Sequence, residues 1–336
     1  MNPRSSPASF RPVIIAGRYE LRGEIGRGGC AIIYEARDAR LGRSVAVKIV
    51  KHGVTDASAH ARLAREARAG AAIHHPNVCA VTDAGCLDDG RPFIVMERLH
   101  GETLTSLVQR VGVLGAEDAV EVALQLLSAL DAAHQLQVVH RDVKPDNVFL
   151  VPRAGCAALV KLLDFGMCRR TAPAPVPDDA TLTRAGQVVG TPEYMAPEQV
   201  SGKREFDARI DLYATGVILY ECLSGRRAFF GDDVRQVVVS VLTKPLPPLR
   251  SIRPEVPLIL DRIVARAMER ESSFRYRAAG EFQADLLEAK ARLMERRFRT
   301  ERSYNSYEMD GIEGGGDRDD WELPTRELRP QSRRAG

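Results

Sequence analysis

His140-Arg141-Asp142-Val143-Lys144-Pro145-Asp146-Asn147 is the stretch on which the reading of this chain turns. It sits where the hydrophobic period of the sequence changes. Upstream, from Gly17 to Lys51, short apolar alternations are broken by glycines. YELRGEIG, AIIYEARD and SVAVKIV read there as three consecutive antiparallel strands. Residues 57–73 are rich in Ala and Arg and read as a helix that HHP stops. VCAVTDAG and RPFIVME add two strands, so residues 17–99 form a small α+β lobe of five strands and one helix. After Gly101 the period becomes 3.6. AEDAVEVALQLLSALDAAHQL reads as a long amphipathic helix with Val120, Leu124, Leu127 and Leu130 on its apolar face. More helices follow at about 208–224, 233–243, 256–269 and 278–297, making residues 100–295 a larger, mainly helical lobe. Phe165 to Pro197 has no clear period, and a loop that long is functional or disordered.

The chain has 336 residues, enough for two domains or one bilobal one. With 44% apolar and 28% charged residues it reads as soluble and globular. A formal net charge of +3 is too balanced for a general nucleic-acid or membrane-surface binder. No apolar run approaches the roughly 18–20 residues that cross a bilayer, and the first ten residues lack the apolar core of a signal peptide. The expected location is therefore cytoplasmic. Six cysteines show no metal-ligand spacing and read as reduced residues, mostly in the core. Residues 1–16 read as a flexible leader, and 296–336 as a disordered polyampholyte tail.

The octapeptide does not stand alone. Val45-Ala46-Val47-Lys48, Asp164-Phe165-Gly166 and Ala196-Pro197-Glu198 flank it in a fixed order. With this set the chain resembles the bacterial eukaryotic-like Ser/Thr protein kinases over about residues 17–295. The resemblance implies a bilobal α+β kinase fold and transfer of the γ-phosphate of ATP to Ser or Thr hydroxyls of proteins. That chemistry asks for positioning and charge neutralisation more than for covalent steps.

The resemblance assigns roles residue by residue. Gly26-Arg27-Gly28-Gly29-Cys30-Ala31 is the phosphate loop, where glycines let backbone N–H groups approach phosphate oxygens. Ala31 stands where the family usually has a third glycine. Lys48 pairs the α- and β-phosphates, held by Glu66 from the small-lobe helix. Asp142 orients the acceptor hydroxyl and takes its proton, and Lys144 neutralises the γ-phosphate. Asn147 and Asp164 supply oxygen ligands to Mg²⁺, with Mn²⁺ as an alternative. His140 and Phe165 pack between the lobes. Thr191 bonds Asp142 and Lys144, Asp211 caps amides of the catalytic loop, and Glu198 pairs with Arg275.

Met96 is the gatekeeper, and Glu97 and Leu99 meet the adenine edge. Ile25, Ile33, Ala46 and Phe149 sandwich the ring. Arg141 before the catalytic Asp implies control by a phosphothreonine at Thr181 or Thr183. Glu102 and Asp146 face the ribose and the substrate. Gly70, four residues after Glu66, leaves a packing void that loosens the helix. Cys30 and Cys168 are candidates for oxidation. A pseudokinase scaffold that binds ATP without turnover is the alternative, and a small-molecule kinase a more distant one. The resemblance also admits a homodimer through the small lobe, and its absence of an anchor or sensor is expected to leave the kinase in the cytoplasm.

Overall fold

The computed structural model describes residues 13–52, 57–165, 169–170, 191–202 and 207–310. By contact the chain divides into two units, Met1–Ala291 and Arg292–Gly336.

A six-stranded antiparallel sheet forms the small lobe. Its strands are β1 (Val13–Ile15), β2 (Tyr19–Arg27), β3 (Ala31–Asp38), β4 (Ser44–Val50), β5 (Val81–Cys86) and β6 (Pro92–Glu97), in the order β1-β2-β3-β4-β6-β5. The sequence reading ends the leader at residue 16. Val13, Ile14 and Ile15 instead pair with Leu21, Glu20 and Tyr19 as an edge strand, because three β-branched residues suit a pleated ladder.

β4 is central, and its alternation sorts side chains to two faces. Val45, Val47 and Ile49 join Tyr19, Ala36, Phe93 and Val95 in one core. Ala46, Lys48 and Val50 point the other way, where Val50 and Ile94 meet Leu63 and Ala67 of helix α1 (Ala57–Ala72). On α1, residues 63, 66, 67 and 70 are buried, which is the i, i+3, i+4, i+7 stripe of a helix lying on a sheet. Glu66 is therefore carried inward by the same stripe that buries Leu63.

Gly70 does not open a void. A Cβ built there would lie 2.5 Å from Val81 Cγ2 on β5, so the valine already occupies the space. The missing side chain lets α1 lie close against β5. The expectation of a loosely packed helix is corrected by this contact.

The larger lobe starts with β7 (Glu102–Thr103) and α2 (Leu104–Val111), which Thr103 caps through the Ser106 amide. Neither element has a clear period in the sequence. Gly101, at φ +151, precedes them. A Cβ there would come within 2.0 Å of the Leu150 carbonyl oxygen, so only glycine fits. α3 (Ala116–Gln135) follows, with Val120, Leu126, Leu127 and Leu130 fully buried and Leu124 partly so. β8 (Val138–Val139) leads into the HRDVKPDN loop. β9 (Val148–Arg153) and β10 (Cys156–Leu162) form a hairpin behind it, with β7 on the other edge of β9. β11 (Arg169–Arg170) pairs with β8.

After α4 (Pro197–Val200), α5 (Arg209–Ser224) is buried almost all round, so its apolar pattern has no polar face. α6 (Val234–Thr243), α7 (Leu249–Ile252), α8 (Leu258–Ala267) and α9 (Ala279–Asp310) complete the helices. α9 runs beyond residue 297, where the sequence reading stops it. The stretch to Asp310 holds helix formers and neither Gly nor Pro, and Gly311 follows. Among the described cysteines, Cys79 and Cys222 are buried but Cys30, Cys86 and Cys156 are exposed, which corrects the reading of them as mostly core. No helix among the described residues is long and apolar enough to cross a membrane.

Candidate active site

Lys48 is the pivot of the cleft. Its Nζ donates to both oxygens of Glu66, at 2.8 and 2.9 Å, and also to Asp164 Oδ1. Three elements thereby converge: β4, α1 and the loop after β10. Burial opposes the ammonium charge, but Asp164 and Glu66 outweigh it and hold its pKa above the ordinary lysine value. Burial, and then the charge of Asp164, pushes the Glu66 carboxyl up against the pull of Lys48. Burial also acts on Asp164, but Lys48 overcomes it and keeps that carboxyl below the usual carboxylate range. Asp164 adopts φ +67, uncommon for a non-glycine residue and a mark of local strain.

The second cluster is the HRDVKPDN loop. Lys144 Nζ lies 2.8 Å from Asp142 Oδ2 and 3.4 Å from Thr191 Oγ1. Asn147 Nδ2 donates to the Asp142 carbonyl at 2.8 Å and to its Oδ2 at 3.2 Å. Asp142 and Thr191 thus share Lys144, and no direct bond joins them among the described contacts. The loop is held from below by Asp211, which α5 carries at 1% exposure. Its two oxygens accept from the amides of His140 (2.9 Å) and Arg141 (2.8 Å), and Oδ2 also lies 2.8 Å from His134 Nε2. Burial pushes Asp211 up; these hydrogen bonds and the histidines bring its carboxyl below the ordinary value. Arg141 sits at φ +70, and Gln199 donates to its carbonyl at 3.2 Å. His140 contacts the Leu163 carbonyl at 2.9 Å and packs edge-on to Phe165, with ring centroids 4.7 Å apart.

Sheet register sets the wall of the cleft. Ala46 is paired with Met96, and Lys48 with Ile33 and Ile94. Phe149 on β9 faces Lys161 and Thr103 across its neighbours. Ile25 is exposed, while Ile33, Met96, Glu97, Leu99 and Phe149 are half-buried and Ala46 is buried. In the glycine turn, the Gly28 amide donates to the Ala31 carbonyl at 2.9 Å, Arg27 pairs with Glu24, and Cys30 is exposed.

The Glu97 side chain is engaged in a way that sequence reasoning missed. Its Oε1 accepts from the Ala80 amide at 2.8 Å and from Lys161 Nζ at 2.7 Å. Lys161, only 9% exposed, also reaches the Val78 carbonyl at 3.3 Å. Next to it, Asn77 donates to the Val160 carbonyl at 2.9 Å and Leu162 donates to the Asn77 carbonyl at 2.7 Å. This web ties the end of β6 to the strand that leads into Asp164. A lysine three residues before Asp164, in a chain with seven lysines, was the available signal.

Comparison with known proteins places this geometry. Residues 19–279 match the family described as protein kinase domain. The chain belongs to the protein kinase family. Serine/threonine-protein kinase pkn3 of Myxococcus xanthus is 38% identical over 275 residues, covering 81% of this chain and 50% of that protein. Probable serine/threonine-protein kinase PknB of Bifidobacterium longum is 37% identical over 290 residues, 83% of this chain and 40% of its own length. Serine/threonine-protein kinase PknB of Mycobacterium leprae is 37% identical over 282 residues, 82% and 43% respectively. The chain spans half or less of the length of these relatives.

The stretch 191–202 is tied to the larger lobe at several points, one of them a buried ion pair. Glu198 takes both Arg275 terminal nitrogens, at 2.7 and 2.8 Å. Thr181, Thr183 and Cys168 lie outside the described residues. Glu102 is paired with Arg110, and Asp146 is exposed. Kinases of this family use ATP and a divalent metal ion, and the donor set here suits a hard cation. Asp164, 42% exposed, offers carboxylate oxygens. Asn147 spends its amide nitrogen on Asp142, leaving its oxygen as the second donor. No group of three or more His, Cys, Asp or Glu among the described residues could hold a metal.

Proposed function

We propose that this chain transfers the γ-phosphate of Mg-ATP to serine and threonine hydroxyls of protein substrates, its own activation loop included. The observation that carries the reading is Lys48, held at once by Glu66 and Asp164. A lysine so fixed is a positioned charge for the α- and β-phosphates. Mg²⁺ would be held by Asp164 and Asn147 and would neutralise phosphate charge, with Mn²⁺ as a substitute. Asp142 would accept the proton of the substrate hydroxyl and aim its oxygen in line with the γ-phosphorus. Lys144, 2.8 Å from Asp142, would stabilise the transferring group. Ile25, Ile33, Ala46, Met96 and Phe149 would enclose adenine, with the backbone of Glu97 and Leu99 on its edge and residues Gly26–Ala31 over the phosphates. A phosphate on Thr181 or Thr183 would find Arg141 as a cationic partner. The reaction is assigned to the cytoplasm, where ATP is supplied.

The test is autophosphorylation with Mg-ATP on wild type and Asp142→Asn, with phosphosite mapping. Phosphate at Thr181 or Thr183 in wild type alone supports the proposal. ATP binding without phosphate on the chain or on an added Ser/Thr protein substrate refutes it and leaves a scaffold.

A further inference from the structure

Lys161 is 9% exposed, yet the phosphoryl-transfer reading makes no use of it. Its neighbours Val160 and Leu162 on β10 are 0% exposed, so an apolar side chain would suit the position. Burying a charge is costly unless it is paired. Even a paired one often adds no more stability than apolar residues of similar volume. Stability alone does not account for this lysine; its partners do.

Two elements that the proposed function puts against adenine meet at its side chain. Lys161 is the cross-strand partner of Phe149. Such partners share a face, so the lysine leaves β10 on the side of the adenine floor. Its Nζ donates to the Val78 carbonyl at 3.3 Å and to Glu97 Oε1 at 2.7 Å, spanning residues 78–80. That segment is bonded on both sides. Toward β10, Leu162 donates to the Asn77 carbonyl at 2.7 Å and Cys79 donates to the Leu162 carbonyl at 3.0 Å. Toward β6, the Glu97 amide donates to the Ala80 carbonyl at 3.0 Å, and the Ala80 amide donates to Glu97 Oε1 at 2.8 Å. Glu97 is the last residue of β6, and Arg98 and Leu99 follow it outside the strand. Lys161 thus holds the chain at the point where the sheet stops holding it.

We propose that Lys161 is a positioning residue that makes the site select adenine over guanine. The inference rests on the reading in which the Glu97 backbone meets the base edge. Adenine offers an N6 amine donor where guanine offers an O6 acceptor. A Glu97 carbonyl that cannot turn accepts from the first and sets acceptor against acceptor with the second. Selectivity then depends on how firmly residue 97 is held, because a site built for one hydrogen-bond pattern leaves the other unpaired.

The test is calorimetric titration of the full chain with Mg-ADP and with Mg-GDP, which reads base selectivity whether or not the chain turns over. Wild type is expected to bind ADP about a hundredfold or more tightly than GDP. Lys161→Met lowers that preference about tenfold, the scale of one lost hydrogen bond. Asp38→Asn breaks the small-lobe ion pair with Arg18, which includes none of the cleft residues, and leaves the preference unchanged. No preference in wild type, an unchanged preference in Lys161→Met, or an equal fall in Asp38→Asn overturns the proposal. Should Lys161→Met fail to fold, Glu97→Gln decides: it keeps the backbone carbonyl and removes the charge that Lys161 pairs. A preference lowered about threefold or more supports the proposal, and an unchanged one overturns it. Failure of the proposed activity is read apart from this, as ADP binding without phosphate transfer.

Discussion

Arg275→Ala is the substitution whose cost the structure states most directly. The Arg275 side chain is 0% exposed and donates to four oxygens. Two belong to Glu198, at 2.7 and 2.8 Å; two are the carbonyls of Glu269, at 2.6 Å, and Arg270, at 2.9 Å. The guanidinium also lies over the Tyr213 ring. Removing it leaves Glu198, 11% exposed, as a desolvated carboxylate without a counter-charge. Breaking such a pair from one side costs about 3–5 kcal/mol. The lost ring contact adds about 0.5–2 kcal/mol. A total near 5 kcal/mol would consume much of a stability of roughly 5–15 kcal/mol. Urea unfolding followed by circular dichroism reads it as a lower midpoint with unchanged slope. Replacing both partners removes the stranded charge. Glu198→Gln combined with Arg275→Met should therefore cost clearly less than the two single changes summed. Arg275→Ala within about 1 kcal/mol of wild type, or strictly additive costs in the double variant, would refute the reasoning.

Three further outcomes follow from named contacts. Gly70→Leu gains about 1 kcal/mol of helix propensity but must displace Val81, whose Cγ2 is 2.5 Å from the new Cβ. Overpacking of this kind costs about 1–3 kcal/mol, so thermal melting should show net destabilisation, and a rise in Tm would contradict the contact. Lys161→Met leaves Glu97 Oε1 with only the Ala80 amide; KM for ATP should rise several-fold in a kinase assay, and an unchanged KM would separate this web from nucleotide binding. Asp38 is held at about 2 by its bonds to Arg18, against burial and with help from the Leu41 and Arg40 amides. A carboxyl lowered on folding stabilises above its unfolded pKa near 3.8, and that stability drains as pH falls toward about 2. Asp38→Asn should flatten the wild-type loss of stability over that window, and parallel pH profiles would count against the pairing.

Most of the fold was legible because its signals are local. The alternation of SVAVKIV and the 3.6 period of residues 116–135 depend on neighbours a few positions away. The Lys48, Asp142 and Asp164 motifs were legible too, since each is a short string in a fixed order. Where local signals were weak, elements went unread. β7 and α2 are short, and α9 continues through a charged stretch whose composition also reads as solvated coil.

Contacts between distant elements are another matter. The Lys161–Glu97 bond joins positions 64 apart, and the Val81 methyl against Gly70 joins a strand to a helix. Nothing in the period of either segment carries that distance. Asp211, Glu198 and Arg275 could be named beforehand only through resemblance, because a buried carboxylate and an exposed one look alike in a single sequence. The sequence by itself determined the alternation of the main strands, the 3.6 period of α3 and which motifs recur in order. Only the tertiary structure decided which inward faces meet and that Gly70 is filled by a neighbour. The reason is physical: local backbone preference acts over a few residues, whereas packing and charge pairing depend on where the folded chain brings elements together.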